Sequence, residues 1–89
     1  MLDLAVHKTF IKDLKKAGLN PTNTAKLFLY ISLLLEEKIL PQEARDHSLA
    51  GSYQDTREFH ISGDLLVVYR IEAQTLELLR IGTHAQLFK

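Results

Sequence analysis

Apolar residues return at helical spacing near the start of the chain. Phe10, Ile11, Leu14 and Ala17 fall at i, i+1, i+4 and i+7, which predicts a helix over residues 8–17 with one buried face. Lys15 and Lys16 lie in its last turn, where cations complement the helix dipole, and Gly18 suits a C-terminal cap. Asn20-Pro21-Thr22 reads as a turn and then a helix start. This second helix is expected to run to about residue 38, with Pro41 ending it. Its apolar set (Leu27, Phe28, Tyr30, Ile31, Leu33, Leu34, Leu35) is wider than one stripe. Such a helix is either central and packed on a sheet, or meets another chain along part of its surface. Ahead of both helices, residues 2–6 alternate weakly, as a short edge strand would.

Beyond Pro41 and a polar stretch the period changes from helical to alternating. Strands are expected over residues 54–61, 64–71 and 76–82, with turns at Ser62-Gly63 and within residues 72–75. Short turns make the three strands antiparallel neighbours. Three-residue turns, 62–64 and 73–75, set Ile61 opposite Leu65, Val67 opposite Ile81 and Tyr69 opposite Leu79. One face then gathers Phe59, Ile61, Leu65, Val67, Tyr69, Leu79 and Ile81 as a core. The other gathers Glu58, His60, Arg70 and Arg80, with Asp64 at its edge and Leu66, Val68 and Leu78 between them. A one-residue slip would exchange these faces, so burial fixes the register.

At 89 residues, the chain is one domain, 1–89. Hydrophobic residues are 46% and charged residues 25%, which excludes a disordered tail. The absence of cysteine removes disulfides and thiolate metal sites. The longest apolar run, residues 27–35, is too short for a bilayer, which takes about 20 apolar residues. With acidic Asp3 and no signal pattern at the start, a cytoplasmic location and no membrane partner are expected. Eleven Lys and Arg balance eleven Asp and Glu. That argues against gripping nucleic acid by a global field, while leaving room for a local basic site.

Of the four histidines, His7 opens the first helix without an evident companion. His47, His60 and His84 fall on a loop, a strand and a post-strand segment. Histidine exchanges protons near neutral pH, so these three with Asp64 and Arg80 on one sheet compose an acid–base site. Three histidines and an aspartate are also a zinc ligand set, although their spacing matches no compact metal motif. Plain structural roles stand beside the functional ones. Tyr69 belongs to the core, Gly51 and Gly82 serve turns or bends, Arg57 is an ion-pair partner, Phe88 closes the core, and Glu58 pairs with Arg70 or Arg80.

Residues 46–53, Asp-His-Ser-Leu-Ala-Gly-Ser-Tyr, resemble the D-H-x-L-x-G-x-W/Y segment of YafQ-type toxins in the RelE superfamily. Arg57-Glu58-Phe59-His60 is similar to the R-D/E-x-H that follows it there. Residues 64–69 resemble the D-x-x-x-x-Y strand, and residues 80–88, Arg-Ile-Gly-Thr-His-Ala-Gln-Leu-Phe, the C-terminal R-x-G-T/S-H-x-x-L-F. The four blocks keep their order over residues 45–88, whereas the N-terminal half matches in layout only. Ser48 stands where many relatives carry proline, and Glu58 where aspartate is commoner.

The resemblance implies a RelE-like α+β fold, an antiparallel sheet of about four strands with two N-terminal helices packed on one face. It implies a toxin of a type II toxin–antitoxin pair that cuts mRNA, usually in the ribosomal A site, without metal or other cofactor. The ribose 2′-hydroxyl attacks the adjacent phosphate, leaving a 2′,3′-cyclic phosphate and a 5′-hydroxyl. By position His47, His60, Asp64, His84 and Phe88 match the family's functional set, and Glu58 an acidic position. On this reading His84 is the general acid. His60, with Asp64 or Glu58, is the base side. His47 contacts phosphate or assists proton transfer, and Arg80 stabilises the crowded phosphate. Phe88, Arg57 and Arg70 contact RNA. A cognate antitoxin is the expected protein partner, and operator DNA is met only through the antitoxin complex. The alternative is a non-catalytic RelE-like module that binds an antitoxin and contributes to operator autoregulation.

Overall fold

In the computed structural model, which describes residues 1–49 and 55–88, two helices cover one face of a sheet. Strand β1 (Asp3–Val6) leads into α1 (Lys8–Ala17) and α2 (Pro21–Leu35). A 3₁₀ turn (Gln42–Ala44) and the two-residue β2 (His47–Ser48) follow. Then come β3 (Arg57–Ser62), β4 (Leu65–Glu72), β5 (Thr75–Thr83) and the one-turn α3 (His84–Leu87). Among the described residues the sheet has five strands in the order β1-β5-β4-β3-β2. The β1–β5 pair is parallel and the others antiparallel. The fold is α+β, as expected, with one strand more than anticipated. The extra strand, β2, is too short to show a period.

The first helix takes the span its periodicity predicts, and Gly18 caps it at φ 57° in the left-handed region. The second helix starts on the Asn20 side chain, which accepts the Asn23 backbone N–H at 2.7 Å. It ends at Leu35 rather than near residue 38. Glu37 adopts φ 58°, and the Lys38 and Glu37 amides close back on the Leu33 and Leu34 carbonyls. This is a Schellman stop built without glycine, so the sequence carries no signal for it.

The core lies between these helices and the sheet. Phe10, Leu27, Tyr30 and Leu34 pack on Phe59, Ile61, Val67, Tyr69, Leu76, Leu78 and Ile81. Both hairpin turns have two residues rather than three: Ser62 faces Leu65, and Glu72 faces Thr75. One bulge interrupts each ladder, between His60 and Ser62 on β3 and opposite Val68 and Tyr69 on β5. Each bulge offsets the one-residue turn difference, so Val67 still faces Ile81. At the second bulge Tyr69 faces Leu78, not Leu79. Leu78 therefore joins the main core, and Leu79 packs with Leu66, Val68 and Leu87 on the opposite face. Strand β3 begins at Arg57, after Asp55 turns the backbone to φ 64°. The expected strand position at Gln54, the turn at Gly51 and motif residues 50–53 lie outside the described residues.

Candidate active site

Alternation on β3 sends Glu58 and His60 to the face away from the helices. Pairing does the rest of the assembly. His47 on β2 sits directly opposite Glu58, while Val68 and Leu66 on β4 oppose Glu58 and His60 and give the site an apolar floor. The β4–β5 ladder sets Leu65 against Thr83, so the turn residue Asp64 meets His84, the first residue of α3. Thr83 and Gln86 form a reciprocal capping box that fixes that helix start. Leu87 anchors α3 on Leu66 and Val68, with Phe88 packed alongside.

One carboxylate oxygen stands at the centre. Glu58 Oε2 is 2.9 Å from His60 Nε2, 3.4 Å from His47 Nε2 and 3.6 Å from His84 Nε2. The Glu58 side chain is only 3% exposed, so its charge is sheltered from water and leans on these imidazoles. His60 is also buried, whereas His47 and His84 are half open to solvent. The His60 ring lies 6.3 Å from that of His47 and 5.5 Å from that of His84, and Phe88 stands 5.7 Å beyond His84.

Hydrogen bonding differentiates the three rings. His84 Nδ1 faces Asp64 Oδ1 at 2.9 Å, so it donates its proton there and directs Nε2 toward the cluster. That bond holds the Asp64 carboxyl below its ordinary value. His47 Nδ1 lies 2.6 Å from the Arg45 carbonyl, which can only accept, so this nitrogen carries a proton as well. His60 has both ring nitrogens engaged, Nε2 with Glu58 and Nδ1 with the Arg45 guanidinium at 3.0 Å.

The structure thus gathers His47, Glu58, His60, Asp64, His84 and Phe88. Asp64 serves His84, and Glu58 serves His60. Glu58 does not take its plainer pairing, since Arg70 and Arg80 engage other carboxylates. Arg80 donates to Asp13 of α1 at 2.6 and 3.1 Å. Burial pushes the Asp13 carboxyl up, but the Arg80 bonds and the Ile81 amide outweigh it and leave it lowered. Arg70 is bidentate on its cross-strand neighbour Glu77, at 3.0 and 2.9 Å. Arg70 and then His7, which is 2.9 Å from Glu77, lower that carboxyl to about 2. Arg57 donates to Asp46 at 3.2 Å and to the buried Tyr69 hydroxyl at 3.3 Å. Gly82 is a strand residue under α3 rather than a turn. Arg45 was invisible to sequence reasoning, because nothing in its spacing marks it; its importance comes from a loop conformation.

Glu58, His60 and His84 offer ligand atoms that lie within 4.8 Å of one another. Two imidazoles and a carboxylate suit zinc or copper, so this trio, with Glu58 in the place expected for Asp64, fits a divalent metal.

Comparison with known proteins shows what the chain as a whole resembles. Residues 2–89 match the family model described as the bacterial toxin of type II toxin–antitoxin systems, YafQ. The mRNA interferase toxin YafQ of Escherichia coli K12 is 32% identical over 87 residues, 97% of this chain and 95% of its own. The crystal structure of a copper-bound mutant toxin from Helicobacter pylori superposes with a TM-score of 0.92 at 38% identity, covering 99% of this chain and all of that one. YafQ in the Escherichia coli DinJ–YafQ complex superposes with a TM-score of 0.87 at 31% identity, covering each chain in full. With the fold, the motif blocks and nearly the whole length in agreement, the chain belongs to the YafQ family of type II toxin–antitoxin toxins.

Proposed function

We propose that this chain is an endoribonuclease that cuts mRNA by internal transesterification and is silenced by a cognate antitoxin. The observation that carries the reading is the convergence of three imidazole Nε2 atoms on Glu58 Oε2. The reaction needs a base for the 2′-hydroxyl proton, an acid for the departing 5′-oxygen and positive charge beside the phosphorane.

His47 is the base. Its Nδ1 proton is held by the Arg45 carbonyl, so Nε2 takes the proton of the 2′-hydroxyl as that oxygen bonds to phosphorus. Glu58 at 3.4 Å favours the imidazolium that results. His84, with Asp64 on Nδ1, donates its Nε2 proton to the 5′-oxygen as the P–O5′ bond breaks. The products are a 2′,3′-cyclic phosphate and a free 5′-hydroxyl, with the two histidines having exchanged charge states. His60, engaged at both nitrogens, supports Glu58 rather than acting as the base itself. Arg80 pins α1 to β5 through Asp13, so positive charge at the phosphate comes from His47 and His84. Phe88, beside His84, offers a face on which a nucleobase stacks. A metal bound by Glu58, His60 and His84 would supply Lewis acidity there; no step above requires it.

A formal net charge of zero fits a substrate already held by the ribosome better than one captured by the protein's own field. Exposed Ile11, Phe28 and Leu29 on the two helices fit an antitoxin lying across them. Induced expression tests the reading. Growth arrest by the wild type and its loss in a folded His84→Ala variant are expected; equal arrest by both overturns it.

A further inference from the structure

Arg45 touches two of the three histidines, by two different chemistries. The end of the 3₁₀ turn puts it at φ 48°, ψ 44°, a left-handed conformation that a residue with a side chain seldom takes. From there its backbone carbonyl receives the His47 Nδ1 proton at 2.6 Å. Its guanidinium reaches His60 Nδ1 at 3.0 Å. A guanidinium has five donors and no acceptor, so this contact exists only while His60 Nδ1 carries a lone pair. The His60 proton must then reside on Nε2, facing Glu58 Oε2 at 2.9 Å. The carbonyl imposes the reverse pattern on His47, with Nδ1 protonated and Nε2 turned to the site. A strained backbone that delivers an acceptor to one ring and a donor to its neighbour is the kind of outlier that functional sites retain.

We infer that Arg45 is a positioning residue that sets the proton inventory of the site, holding His60 in the Nε2–H tautomer with Nδ1 bare while His47 keeps its proton on Nδ1. The inference rests on the acid–base reading above and extends it to a residue outside the chemistry itself. The groups facing His60 are Arg45, Glu58, His47 and His84. Among the described residues, the carboxylates that bear on the ring are Glu58, in direct contact, and Asp64, which acts at longer range. Without the guanidinium, no described donor keeps Nδ1 bare, and the ring can exchange to the Nδ1–H tautomer. In that tautomer Nε2 has no proton to give, and the hydrogen bond that fixes Glu58 against His60 is lost.

Imidazole ¹⁵N spectra of the full-length protein at pH 6.5 test this directly, with single-turnover cleavage of an mRNA fragment measured beside them. The wild type is expected to show His60 protonated at Nε2 only and His47 protonated at Nδ1. Arg45→Met should place a proton on His60 Nδ1, leave the His47 Nδ1 proton in place because its partner is backbone, and lower the cleavage rate at least tenfold. Arg45→Lys, which keeps a cationic donor, should return both the His60 signature and part of the rate. A wild-type His60 protonated on Nδ1 overturns the inference, whatever the variants do. So does an Arg45→Met protein with an unchanged His60 ring, and a loss confined to KM in that variant would make Arg45 an RNA contact. Should the spectra be as expected while the wild type leaves RNA intact, it is the nuclease reading that fails, and the two failures are distinct.

Discussion

Glu58 Oε2 and His60 Nε2 lie 2.9 Å apart, both buried, on alternate residues of one strand. That pair is the fixed point around which the two more exposed histidines are arranged. Its neutral isostere tests it. Glu58→Gln keeps the volume and removes the charge that favours protonated His47. It should lower the cleavage rate by about a hundredfold or more, the scale on which one electrostatic stabilising group acts. Single-turnover kinetics check this, and a rate within a factor of a few of the wild type would remove Glu58 from the mechanism.

His84 and Asp64 form the second pair, at the opposite end of the cluster. Asp64→Asn should weaken cleavage less than His84→Ala, because it disturbs the orientation of the acid without deleting it. A loss of about 10²- to 10⁴-fold is expected for His84→Ala. Both variants should keep a wild-type melting profile, since both side chains are about half exposed.

Position 82 links the fold to this chemistry. A Cβ added at Gly82 would stand 2.8 Å from Gln86 Oε1 and 3.3 Å from Leu87 Cδ2. The Gln86 side chain would yield, and with it the bond to the Thr83 amide that closes the capping box. Gly82→Ala is therefore expected to loosen the start of α3 and slow cleavage about tenfold through misplacement of His84, while the domain stays folded. Cleavage rates and amide chemical shifts of residues 83–87 provide the check.

Acid should act through Glu77. Its carboxyl, ordinarily at 4.5, is held at about 2 by Arg70 and His7. A depressed carboxylate contributes stability above its unfolded value, and that contribution drains away as pH falls from about 4.5 toward 2. Denaturant midpoints should show the wild type ahead of Glu77→Gln at pH 6, with the gap much narrowed by pH 2.5. A gap that is constant across this range would show that the Arg70–Glu77 pair carries no pH-linked stability.

Much of the fold was legible because it rests on period. Phe10, Leu14 and the Lys15-Lys16-Gly18 ending located α1, and alternation located β3, β4 and β5. What escaped has no compositional mark. Glu37 stops α2 in a conformation usually given to glycine. The bulges on β3 and β5 look like regular strand in sequence, yet they decide that Leu78 rather than Leu79 enters the core. The parallel union of β1 with β5 depends on packing distant segments, not on local pattern. In the site, the motif blocks named His47, Glu58, His60, Asp64, His84 and Phe88, all of which the fold brings together. The arginines were harder to read. Long cationic side chains choose partners in three dimensions, and Arg70 and Arg80 chose Glu77 and Asp13. Arg45 is of the same kind, its partners set by a loop conformation that no spacing marks.

The chemistry of the cut ends tests the central claim most directly. RNA cleaved by the purified protein, on translating ribosomes and free, should carry a 2′,3′-cyclic phosphate on one fragment and a 5′-hydroxyl on the other. Fragments ending in 3′-hydroxyl and 5′-phosphate would mean that water, not the ribose, is the nucleophile, and would contradict the roles given to His47 and His84.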